Sequence, residues 1–123
     1  MGQGRPEKKE TLAAALRAEM AVAGDPEAAM RTLRRFKRRE TLRIAYGDIV
    51  GGQRLETVVA QISHVADVIV AEAVRAAVAR QETLRGVPRE PGGGRAALAA
   101  IALGKLGGGE LNYSSDIDLV FVY

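Results

Sequence analysis

Gly104-Lys105-Leu106-Gly107-Gly108-Gly109-Glu110-Leu111-Asn112-Tyr113-Ser114-Ser115-Asp116-Ile117-Asp118-Leu119-Val120-Phe121-Val122-Tyr123 holds a glycine-rich turn, two aspartates one residue apart and an unbroken apolar run. The run is rich in β-branched and aromatic residues and reads as a buried strand. Alternate side chains of a strand share a face. Asp116 and Asp118 are therefore expected on one side, with Cα atoms roughly 6.5–7 Å apart. Ile117, Leu119, Phe121 and Tyr123 take the other side. Just upstream, Ala96 to Leu103 is a compact apolar run that reads as a first strand, although its alanines leave a helix open. Ten residues separate Lys105 from Asp116. The expected order is apolar strand, glycine turn, short helical segment, then a strand opening on Asp-x-Asp.

Two carboxylates that close raise each other's pKa unless a cation sits between them. Such an oxygen pair suits Mg²⁺, which favours carboxylates, waters and substrate phosphates. Backbone N–H groups in the glycine turn can cradle phosphate, and a carboxylate-held metal can neutralise it. The plainer reading is a polar turn with two solvated aspartates. A bare Asp-x-Asp favours that reading, and the upstream glycines weaken it. Other phosphate motifs fail. In a P-loop frame, Ala99 stands where the first glycine belongs and Leu106 follows the lysine. Gly104 to Gly109 does not spell Gly-x-Gly-x-x-Gly. Ser114 and Ser115 have no plausible base nearby, so a serine hydrolase is not supported.

The stretch Gly-Lys-Leu-Gly-Gly-Gly-Glu-Leu-Asn-Tyr-Ser-Ser-Asp-Ile-Asp-Leu-Val-Phe resembles the signature of the bacterial glutamine synthetase adenylyltransferase/deadenylylase family. These are two-headed enzymes of the DNA polymerase β-like nucleotidyltransferase superfamily. Leu33 to Tyr46 is also similar to the basic helix that precedes the catalytic segment in that family, so the likeness runs over roughly residues 30–123. The resemblance implies that Asp116 and Asp118 are catalytic and bind two Mg²⁺ ions. Gly104 and Lys105 would face the nucleotide phosphates, with Lys105 supplying a point charge. Ser115 would bond a phosphate or orient Asp116, and a turn-forming role is as well supported. ATP, ADP and phosphate are the implied substrates or products. The implied partners are glutamine synthetase, through its adenylylated tyrosine, and a PII-type regulatory protein. The spelling from Glu110 to Asp118 resembles the deadenylylating copy, which removes AMP by phosphorolysis. The AMP-transferring copy is the alternative.

Composition agrees with a small globular unit. The chain has 123 residues, and its 4% aromatic content leaves alanine and valine to build the core. No cysteine is present, which excludes disulfides and thiolate metal sites. The net charge of +3 does not by itself imply nucleic acid. The opening residues Met1 to Glu10 lack the apolar stretch of a signal peptide, and no apolar run is expected to span a bilayer. A cytoplasmic protein with neither nucleic acid nor membrane as partner is the default expectation.

The fold class expected is mainly α, a helical bundle segment followed by the start of a polymerase β-like α/β fold with one or two strands. Residues 1–90 form the helical region and 91–123 open the catalytic domain. Residues 11–23 read as a first helix, with Leu12, Leu16 and Met20 at helical spacing. Asp25-Pro26 reads as a cap and first residue of a second helix reaching about Tyr46. Met30, Leu33, Phe36 and Ile44 form its apolar side, and Gly47, Gly51 and Gly52 interrupt it. Its basic residues Arg34, Arg35, Lys37, Arg38 and Arg39 could contact nucleotide phosphates, an acidic partner or nucleic acid. A solvated face whose stems shield apolar neighbours is the favoured reading. A third helix is expected from about Gln53 to Leu84, with a stripe from Leu55 to Val78 buried against the other two. His64, without a second histidine or a cysteine, is not expected to bind metal. Gly86 to Arg95 reads as a linker.

The superfamily's third carboxylate lies on a later strand that this sequence does not contain. The chain is therefore expected to be part of a longer reading frame, inactive alone, with an apolar strand edge exposed. The competing expectation is a non-enzymatic helical module that binds a partner.

Overall fold

The computed structural model describes residues 6–109, 111 and 117–122, with the backbone alone at Lys105. Among these, helices α1 (Lys9–Ala21), α2 (Pro26–Ile49) and α3 (Leu55–Arg85) precede strand β1 (Ala99–Leu103). The short helix α4 (Gly104–Gly107) and strand β2 (Asp118–Val122) follow. The mainly α class with a small appended sheet agrees with the sequence expectation.

Helix α2 begins as its sequence dictates. The Asp25 side chain accepts a 2.7 Å bond from the Ala28 amide, and Pro26 occupies the first turn, where its missing N–H costs nothing. The helix runs three residues beyond Tyr46 because Gly47 does not interrupt it. Gly47 continues the buried line Thr32, Phe36, Glu40, Ile44, and its carbonyl accepts a 3.2 Å bond from the Gln53 amide as the chain turns back. The turn itself lies at 50–54. Met30 is a further correction: it sits four residues before Arg34 on the solvent side and is exposed.

The core is formed by Leu12, Leu16 and Met20 of α1, Phe36 and Ile44 of α2, and Val58, Val65 and Val68 of α3. Its largest fully buried side chains are Phe36, Leu16 and Ile44. The stripe expected on α3 is buried only in part. At 1.5 Å per residue, α3 is about 46 Å long and α1 about 20 Å, so its neighbours cannot cover it end to end. Leu55 and Leu84 are exposed at its two ends. Segment 86–98 folds back along its second half and leaves a hollow of about 930 Å³ between them. That segment is more than a linker. Arg89 and Arg95 form an antiparallel bridge around a tight turn, and Arg95 pairs with Glu82 of α3.

Charged and polar groups enter the helix interfaces. Glu40 is buried and accepts from Arg43 at 2.8 Å. The buried Gln61 amide behaves like a strand neighbour toward Glu7: its Oε1 accepts from the Glu7 amide and its Nε2 donates to the Glu7 carbonyl, both at 3.0 Å. Glu72 on α3 is buried and accepts from Arg17 of α1 at 3.2 Å and from Arg75 at 2.6 Å. Arg39 grips Glu19 with two nitrogens, at 3.0 and 2.7 Å, and lies 5.3 Å from the centre of the Phe36 ring. Helix α3 is also long and apolar enough, by length and composition only, to cross a membrane, contrary to the expectation that no run would be. The polar groups Gln61, Ser63 and Glu72 lie on the same helix. They interrupt its apolar surface where they meet partners from other elements.

These ion pairs make stability fall in acid. Burial pushes the Glu72 carboxyl up, but the bonds and charges of Arg75 and Arg17 outweigh it and hold the group below its ordinary value of 4.5. The bond from Arg39 does the same for Glu19, against a smaller opposing effect of burial. A depressed folded-state pKa stabilises above the unfolded value and is lost as pH falls through the folded one. The thermal midpoint should therefore hold from pH 7 to about 5 and drop below about 4.5, with a shallower drop in Glu72→Gln. Parallel profiles for the two proteins would show that Glu72 contributes nothing.

Candidate active site

Strands β1 and β2 pair antiparallel, with Ala102 opposite Leu119 and Leu103 opposite Asp118. Paired residues share a face. Ala100, Ala102 and Leu119 line a hollow against Val70, Ala71 and Val74 of α3. Asp118, the next residue along β2, therefore lies on the opposite face, as alternation predicts. The strands are not buried, however. Ile101, Val120, Phe121 and Val122 are all about half exposed. Among the described residues the sheet has two strands, and helices meet only one of its faces.

The turn after β1 brings chemistry to that register. Gly104 has φ +63°, a left-handed conformation that side chains with a Cβ disfavour. A Cβ built on Gly104 would stand 3.7 Å from Oδ2 of Asp118. The Asp118 carboxylate thus lies beside the first residue of the glycine turn. The expected sequence of strand, glycine turn, short helical segment and aspartate-bearing strand is present. The first amides of α4 have no partner within their own helix, as at any helix start. Asp116 and Ser115 lie outside the described residues, as does the Lys105 side chain, while the Lys105 backbone sits in α4. Of the carboxylate pair, the geometry beside the turn is therefore that of Asp118. Among the described residues, no group of three or more His, Cys, Asp or Glu side chains converges. Asp118 is nonetheless an exposed hard-oxygen donor beside the turn, a donor type that suits Mg²⁺.

Three residues shape this site that sequence reasoning did not single out. Gly107 ends α4 against β1. A Cβ there would meet the Ala102 carbonyl oxygen at 2.5 Å, an impossible contact with backbone. Leu106 and Leu111 are buried with Ala66 of α3 in a second small core, against which Ile62 and Ala102 also pack. The triplet Gly107-Gly108-Gly109 was the available signal for a close backbone approach. Nothing in the local pattern marked Leu111. On the basic face of α2, Arg39 is engaged with Glu19, and Arg34, Arg35, Lys37 and Arg38 are exposed.

The described residues thus run from a helical unit through a glycine turn into an aspartate-bearing strand. Residues 2–123 match the family model described as glutamate-ammonia ligase adenylyltransferase. Over 119 residues, 97% of this chain, the sequence is 35% identical to the bifunctional glutamine synthetase adenylyltransferase/adenylyl-removing enzyme of Thioalkalivibrio sulfidiphilus. It is 40% identical over 116 residues, 93% of this chain, to the protein of the same description from Neisseria meningitidis serogroup B. The Psychromonas ingrahamii protein so described is 34% identical over 117 residues, 95% of this chain. The chain belongs to the glutamate-ammonia ligase adenylyltransferase family, a family of enzymes. It spans about 12% of the length of the curated relatives it matches.

Proposed function

We propose that residues 91–123 carry the opening of the nucleotide site of a glutamine synthetase-modifying enzyme, with residues 1–90 as the helical body behind it. The observation that carries this reading is the approach of the Asp118 carboxylate to the Gly104 turn. Gly104, lacking a Cβ, leaves room beside the carboxylate. The amides at the Gly104 turn would orient a phosphate there, and Lys105 would add charge. Asp118, with Asp116, would hold Mg²⁺. When bound, that ion supplies charge neutralisation to phosphate oxygens and orients the attacking group. The substrate protein would be glutamine synthetase, with a PII-type protein as regulator. The Glu110-to-Asp118 spelling supports the AMP-removing reaction, with ATP-dependent transfer as the second reading.

A chimera tests this. The 116-residue stretch of the Neisseria relative that aligns with this chain is replaced by the corresponding residues from this chain, and both reactions are assayed on glutamine synthetase. Asp118→Asn should lower AMP removal by about 100-fold or more while leaving AMP transfer intact, a loss on the scale of removing one group that stabilises developing charge. A loss confined to transfer would favour the second reading. Undiminished activity in both directions would refute the site.

A further inference from the structure

We infer that Ser63, in the middle of α3, is a positioning residue for this site, an inference that rests on the proposed function above. Ser63 is 3% exposed on the buried side of α3, two residues from the buried Gln61. Serine is a poorer helix former than alanine, and a buried hydroxyl without a partner is costly. Its Oγ accepts a 3.1 Å bond from the backbone amide of Leu111, 48 residues away and buried. That amide belongs to the segment between the glycine turn and Asp118.

The bond is one part of a platform. Three residues along α3, on the same side of the helix, Ala66 shares a small buried cluster with Leu106 and Leu111. Leu106 lies two residues beyond Gly104, and Leu111 lies seven before Asp118. Helix α3 therefore meets two described residues, Leu106 next to the turn and Leu111. Apolar contacts set the distance to the helix but do not fix a register along it. A hydrogen bond to one particular amide does. The β1–β2 pairing sets Leu103 opposite Asp118, and α3 seats that pair through Leu106 and Leu111. Loss of the Ser63 hydroxyl should leave the helices folded and loosen that seat at Leu111, so that the turn and Asp118 are held less firmly as one site.

The test uses the whole chain with Ser63→Ala and Ser63→Thr, and Mn²⁺ as a paramagnetic probe read by amide NMR. In Ser63→Ala, exchange of the Leu111 amide should quicken by about tenfold, the scale of one buried hydrogen bond. The Mn²⁺ concentration needed to broaden the Gly104 and Asp118 amides should rise severalfold, with the thermal midpoint of the helices little changed. Ser63→Thr, which keeps an acceptor, should restore both. Unchanged Leu111 exchange and Mn²⁺ response in Ser63→Ala would overturn the role of Ser63 alone. Equal weakening of helix stability and Mn²⁺ response would also overturn it, by reducing Ser63 to a packing residue. Absence of selective broadening in the unaltered chain would overturn the site itself, and the positioning role with it.

Discussion

Phe36→Ala is expected to destabilise the chain by about 3–5 kcal/mol, the usual cost of emptying a fully buried aromatic site. Phe36 has no exposed surface and sits among the α1, α2 and α3 residues that make the main core. Its ring also carries the Arg39 guanidinium, which in turn holds Glu19 of α1. The substitution therefore removes apolar area and loosens the ion pair that ties α1 to α2. A domain of this size has only about 5–15 kcal/mol of net stability, so much of it would be lost. Urea denaturation followed by helical circular dichroism measures the effect. A shift below about 1 kcal/mol would mean that the core is not centred on this ring.

Gly107→Ala should have the largest effect on the site. The new methyl would lie 2.5 Å from the Ala102 oxygen and 3.2 Å from its carbonyl carbon. Both are backbone atoms of β1, so no side-chain rotation relieves the clash. Forced overpacking costs about 1–3 kcal/mol. A two-stranded sheet is marginal by itself, so that cost is enough to detach it. The expected result is lost amide protection across 99–122 with helical content unchanged. Gly94→Ala is the control, because a Cβ there meets nothing within 4 Å. If Gly107→Ala kept the sheet protected, the tight seat of α4 on β1 would be wrong.

Much of this organisation was legible in the sequence, because it depends on short-range rules. Leu12, Leu16, Met20 and Phe36 recur at helical spacing and are buried, and Asp25-Pro26 starts α2 as written. The glycines placed the turn between two strands, and alternation placed Asp118 on the face away from Leu119. What the sequence hid depends on partners far along the chain. Glu72 reads as a solvated residue until Arg17, 55 positions away, covers it. Gln61 is buried because Glu7, 54 positions away, uses its amide as a strand edge. Ser63 looks like a weak point in a helix until the Leu111 amide reaches it. The apolar run at β2 misled in the other direction. Composition announces a buried strand, but burial needs a second layer, and among the described residues only one face of the sheet has one. For the same reason the length of α3 exceeds what α1 can cover.

The proposed site requires that Gly104 and Asp118 serve one ligand. The most direct measurement is amide NMR of this chain titrated with Mn²⁺, in the unaltered sequence and in Asp118→Asn. Broadening should begin at the Gly104 and Asp118 amides together and should be lost at both in Asp118→Asn. If Gly104 broadened as before in that variant, or if the two amides responded at widely different Mn²⁺ concentrations, the turn and the aspartate would not share a site.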